Sequence, residues 1–102
     1  MFVKFNNDYL EKIYQNKETK KKPEYNEEVI IQFKKKVQIL KMIESTQELK
    51  NFKGLRFKPL KGEKKGLFSI RVNQAYRLEF KIINEQTIEI ILIEDLTNHY
   101  GD

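Results

Sequence analysis

Along this 102-residue chain the spacing of apolar positions changes from a helical repeat to a two-residue alternation, so a helical first half is followed by a strand-forming second half. Met1 to Phe5 (MFVKF) alternates and predicts a short strand. Asn6, Asn7 and Asp8 then offer capping side chains for a helix carrying Leu10, Ile13 and Tyr14 on one face. Residues 17–24 (KETKKKPE) hold no apolar side chain and one proline, which predicts an exposed linker between helices, its lysines solvated. From Asn26, the positions Val29, Ile30, Phe33, Val37, Leu40 and Ile43 follow helical spacing, with Glu27 and Glu28 in the first turn and Lys34 to Lys36 further on, as the helix dipole favours. Ser45 and Glu48 have capping-box spacing and predict a further short helical turn through Leu49 and Phe52, stopped at Gly54.

The second half alternates. Leu55 to Leu60 predicts a strand whose Pro59 favours an edge or a strand end. Phe68, Ile70 and Val72 interleave with Ser69 and Arg71, and Tyr76, Leu78, Phe80 and Ile82 interleave with Arg77, Glu79 and Lys81. Ile88 to Ile93 becomes apolar on both faces and predicts a strand inside the sheet. The hydrophobic pattern also selects the hairpin register. A two-residue turn at Asn73-Gln74 would pair Ile70 with Arg77 and mix the faces. A three-residue loop, Asn73 to Ala75, pairs Val72 with Tyr76, Ile70 with Leu78 and Phe68 with Phe80.

That register sets Arg71 beside Arg77 on the face away from the apolar residues, which costs stability unless an anion or an acidic neighbour such as Glu79 or Glu89 compensates. Two adjacent guanidinium groups can grip a phosphate with forked hydrogen bonds and offset the added charge of a pentacoordinate phosphorane. The surroundings suit an anion. Between Lys50 and Lys81 the chain has ten Lys/Arg against two Glu, a local charge of +8, whereas residues 82–102 carry −5 and the whole chain +5. Such concentration is the electrostatic footprint of a nucleic-acid-binding face. The loop Lys61 to Gly66 (KGEKKG) adds Lys61, Lys64 and Lys65 between glycines that permit tight turns, although it lacks the GxxxxGK[ST] pattern of a nucleotide-binding P-loop. His99 is the chain's one histidine, flanked by Asn98 and Tyr100. Its position just beyond a strand fits a terminal surface histidine, while its ordinary pKa also suits proton transfer near neutrality; alone and with cysteine absent it cannot build a zinc site.

Length and composition bound the rest. The chain fits a single domain, residues 1–102, and a hydrophobic fraction of 39% with 12% aromatics suffices for a globular core. Without cysteine there is no disulfide framework, in keeping with a reducing cytoplasm. MFVKFNNDYL lacks the long apolar segment of a signal peptide, and the longest aliphatic run is Ile90 to Ile93, so a cytoplasmic protein with no membrane association is expected.

The run LKGEKKGLFSIRVNQAYRLEF followed by LIEDLTNHY resembles the HigB-type toxins of the RelE/ParE superfamily, the toxin halves of bacterial type II toxin–antitoxin pairs. The resemblance implies an α+β fold in which an N-terminal helical hairpin packs on a small, mainly antiparallel sheet. It implies a ribosome-dependent endoribonuclease that cleaves messenger RNA without a metal ion or other cofactor, by attack of the ribose 2′-hydroxyl. It further implies a HigA-like helix-turn-helix antitoxin as partner, with operator DNA reached only through that antitoxin. The family's basic loop falls on Lys61, Lys64 and Lys65, its hairpin arginines on Arg71 and Arg77, and its terminal histidine on His99. The chain departs from the pattern at Lys58, where many members carry a histidine, and at Thr97-Asn98-His99, where many read Asp-Tyr-His; Tyr100 stands one position later than the missing tyrosine. Two other functions fit parts of the sequence: a ParE-like inhibitor of DNA gyrase with the same fold, and a non-catalytic RNA-binding module.

Overall fold

A computed structural model describes residues 1–19 and 24–98. Strand β1 (Phe2–Phe5) leads into helix α1 (Asp8–Tyr14), and helix α2 (Glu27–Met42) follows. Each helix starts where an asparagine supplies the missing acceptor. The Asn7 side chain accepts from the backbone N–H of Leu10, and that of Asn26 from Val29. Then come β2 (Lys58–Pro59), β3 (Phe68–Arg71), β4 (Tyr76–Glu85) and β5 (Ile88–Asn98), forming one sheet in the order β1-β5-β4-β3-β2. All neighbours are antiparallel except β1, which runs parallel to β5.

The hairpin register is the one the alternation selects: Phe68 pairs with Phe80, Ile70 with Leu78 and Arg71 with Arg77. Asn73 closes its three-residue loop, its side-chain oxygen accepting from the N–H groups of Ala75 (2.9 Å) and Tyr76 (2.8 Å). Leu10, Phe33, Val37 and Leu40 from the helices meet Ile70, Leu78, Phe80, Ile91 and Ile93 from the sheet in the core. Both helices therefore cover one sheet face, and the residues of opposite parity line the other.

Three local expectations are corrected. The segment after Ser45 is a 3₁₀ helix over Thr46–Asn51, ending at Phe52 rather than Gly54, and Glu48 still reaches back to accept from the N–H of Ser45 (3.0 Å). The strand expected over Leu55 to Leu60 shrinks to Lys58–Pro59, because Lys53–Leu55 form a second 3₁₀ turn and Arg56 takes a left-handed conformation (φ 46°) that no strand accommodates. Glu89 cannot balance the arginines. It pairs with Asn84 on the helix side, where its carboxylate accepts from the N–H and hydroxyl of Thr46 (3.1 and 2.7 Å). The middle of the expected linker, residues 20–23, lies outside the described residues.

Candidate functional site

The sheet face turned away from the helices carries the charged residues. Across neighbouring strands, Lys58 stands opposite Ser69, Ser69 opposite Glu79 and Glu79 opposite Asp95; one pleat along, Arg71 stands opposite Arg77 and Arg77 opposite Thr97. A bulge on β5 puts Asp95 and Thr97 there. The register shifts between Glu79 and Phe80, so that Phe80 pairs with Ile93, Glu79 with Asp95, and Glu94 is left over. Asparagines before α1 hold the bulge: Asn6 donates to the Glu94 carboxylate (3.0 and 3.1 Å), and Asn7, besides capping α1, donates to the Glu94 carbonyl (3.1 Å). Tyr25 fixes the strand beyond it by donating its hydroxyl to the Leu96 carbonyl (2.9 Å).

Burial separates the two arginines. Arg77 is only 4% exposed; its Nε donates to the Ser69 hydroxyl (2.9 Å) and an Nη to the Arg56 carbonyl (2.7 Å). The left-handed turn at Arg56 thus supplies an acceptor for a buried cation. Arg71 is partly exposed, with its Nε donating to the Asn73 carbonyl (3.2 Å). Arg71 is the guanidinium a ligand can reach, and Arg77 is a fixed charge set into the floor beside it.

Glu79, expected as one acidic neighbour that could compensate the arginines, is instead a buried part of the site that binds its loop. At 1% exposed it is a buried carboxylate, and its Oε2 accepts from Lys64 Nζ (2.7 Å) and from the Thr97 hydroxyl (2.9 Å). The ion pair ties the Lys61–Gly66 loop to the sheet face that carries the arginines. A signal was present in the alternation, since Glu79 shares parity with Arg77, but nothing in the sequence distinguishes an exposed glutamate from a buried one there. The loop itself contains a 3₁₀ turn over Gly62–Lys64, with Gly62 and Gly66 at φ of +67° and +98°. Added β-carbons there would meet nothing within 4 Å, so glycine is required by the backbone conformation and not by a close approach. Lys58, Lys61, Lys64 and Lys65 are all exposed.

Arg71, Arg77, Lys58 and Lys64 are therefore gathered at one face, with Lys61 and Lys65 in the loop beside it. His99 and Tyr100 lie outside the described residues. Among the described residues no group of three or more His, Cys, Asp or Glu could hold a metal ion, and no helix is long and apolar enough to cross a membrane.

Residues 3–94 match the family model of the HigB-like toxin, described as a RelE-like toxin of type II toxin–antitoxin systems. No curated protein matches the chain by sequence. Among solved structures, a YoeB/ParE toxin from Agrobacterium tumefaciens superposes with a TM-score of 0.59 at 17% identity, covering 98% of this chain and 100% of that one. YafQ from E. coli strain BL21(DE3) gives 0.55 at 11% identity, covering 94% and 90%. At these identities the structural likeness establishes a shared fold.

Proposed function

The chain belongs to the HigB-like family of RelE-like toxins of type II toxin–antitoxin systems, and we propose that this member is a ribosome-dependent endoribonuclease that cuts messenger RNA without a metal ion. The observation that carries the reading is the cationic face on which a reachable Arg71 lies beside the anchored Arg77, with Lys64 held over it by Glu79. In the proposed step the ribose 2′-oxygen bonds to the neighbouring phosphorus and the bond from phosphorus to the 5′-oxygen breaks. The 2′-hydroxyl proton passes to a base and the 5′-oxygen receives one from an acid, leaving a 2′,3′-cyclic phosphate and a 5′-hydroxyl. Arg71 would contact the phosphorane, with Arg77 adding a preorganised positive field from below. Lys58, Lys61, Lys64 and Lys65 would hold flanking phosphates. His99 and Tyr100 are the proposed proton-transfer groups.

A toxin requires a silencing partner, and we assign that part to a HigA-like helix-turn-helix antitoxin through which operator DNA is reached. A complementary acidic surface on it would speed association with the +8 segment. The deciding experiment is expression without the antitoxin, with primer-extension mapping of cellular messages. Cuts within translated reading frames are expected. Intact messages accompanied by DNA breaks would instead select gyrase inhibition.

A further inference from the structure

On the helix side of the sheet, beyond the end of the helical layer, two open grooves flank Phe57. The larger, about 480 Å³, is lined by Phe57 and Phe68 together with Gln47, Lys50 and Asn84; the smaller, about 200 Å³, by Phe57, Phe52, Lys50, Lys53 and Arg56. Phe57 is stacked nearly parallel on Phe68 (centroids 5.5 Å, 13°) and on the buried Phe80 (6.2 Å, 13°). The two outer rings, Phe57 and Phe68, are only partly buried, and Phe52 is 42% exposed.

The chain segment that carries Phe52 and Phe57 is cationic throughout. From Leu49 to Gly62 the chain carries Lys50, Lys53, Arg56, Lys58 and Lys61 and no carboxylate. The acidic group lining the larger groove, Glu89, is held by its two hydrogen bonds from Thr46. Flat aromatic surface interleaved with cations and neutral amides suits a single-stranded nucleic acid, whose bases stack and whose phosphates are neutralised. An acidic peptide would use the cations but leave the ring faces unmatched.

The grooves also connect to the phosphate face. Lys58 lies on that face opposite Ser69, while the preceding residue, Phe57, packs on the helix side, and β2 is an edge strand. A strand passing over this edge goes from Lys58 to Phe57 without crossing the rest of the sheet. We propose that the grooves around Phe57 are a second RNA-binding site, taking single-stranded nucleotides that flank the scissile phosphate. Their bases would lie against Phe57 and Phe68, and their phosphates on Lys50 and Lys53. This inference rests on the ribonuclease reading above.

The test uses the full chain and a single-stranded octaribonucleotide, 2′-O-methylated to prevent cleavage and carrying a central 2-aminopurine. Fluorescence quenching reports stacking of that base, and anisotropy reports binding. Phe57→Leu keeps apolar contact with Phe80 but removes the ring, and is expected to weaken binding about 10-fold or more and relieve the quenching. Lys53→Ala should lower the salt slope of binding by about one. Should Phe57→Leu fail to fold, the Phe52→Ala/Lys53→Ala pair, both exposed, tests the same surface. The site is overturned if these variants bind like wild type while Lys61→Ala/Lys64→Ala/Lys65→Ala loses the RNA, a result that leaves the ribonuclease reading standing. It is equally overturned if wild type does not bind the probe at low salt, in which case cleavage of translated messages, scored separately, still decides that reading.

Discussion

Lys64 Nζ lies 2.7 Å from Glu79 Oε2, joining a lysine on an exposed loop to a carboxylate that is 1% exposed within the sheet. The pair is unequal. Lys64 keeps 45% of its side chain in solvent and can stand alone, whereas Glu79 cannot.

That asymmetry predicts opposite costs for the two partners. Lys64→Ala leaves a buried carboxylate with one neutralising contact fewer and should destabilise the fold by about 1–3 kcal/mol in chemical denaturation. Glu79→Gln keeps the shape and should cost less stability. Its effect is on the loop: with Lys64 released, single-turnover cleavage on programmed ribosomes should slow by roughly 10- to 10²-fold. A Glu79→Gln variant cleaving at the wild-type rate would remove the loop's positioning role.

The arginines should separate by the same two measurements. Arg71→Ala is expected to fold normally and to cleave roughly 10²–10³-fold more slowly, the size associated with losing one preorganised donor. Arg77→Ala strips a buried cation from the Ser69 hydroxyl and the Arg56 carbonyl, so lowered stability should accompany its lost activity. Arg77→Lys, which cannot make both contacts in the same geometry, should rescue only part of the stability. Equal stability for Arg71→Ala and Arg77→Ala would contradict the division between a reachable and an anchored guanidinium.

His99→Ala should reduce the single-turnover cleavage rate while leaving ribosome binding nearly unchanged, because proton transfer acts in the transition state and adds little to ground-state affinity. A wild-type rate would move that role to Tyr100 or away from this part of the chain.

Gly62→Ala and Gly66→Ala should each cost about 1 kcal/mol through backbone strain alone, since their positive φ disfavours a β-carbon although space for one is open. Thermal melts of the single variants would check this; unchanged melting temperatures would mean that the loop relaxes at no cost.

Tyr25 gives a prediction in alkali. Burial, followed by the negative charge of Asp95, pushes its phenol far above the ordinary value. The folded state therefore holds the proton more tightly than the unfolded chain. The stabilisation is complete below pH of about 10, where an unfolded tyrosine ionises, and is lost as the pH rises through the folded value. Tyr25→Phe should lose about 1 kcal/mol at neutral pH with its hydrogen bond to Leu96, and should show a shallower alkaline decline in urea midpoints. Parallel pH profiles for the two proteins would contradict the assignment.

The chain's own pattern carries the relationships that depend on nearby residues: the periods of α2 and the hairpin, the Asn7 and Asn26 caps, and the pairing of Arg71 with Arg77, because a slip of one residue would have turned every apolar side chain to the wrong face. It also concentrated the cations. Tertiary structure alone decided what each charge does. Whether Arg77 is solvated or anchored depends on the left-handed Arg56 carbonyl twenty-one residues away, and whether Glu79 is surface or floor depends on the loop folding over it. The parity of Thr97 depends on a bulge at Glu94 held by Asn6 and Asn7 from the far end of the chain. Local pattern fixes which face a residue points to; burial and partners come from distant segments, and no spacing in the sequence encodes them.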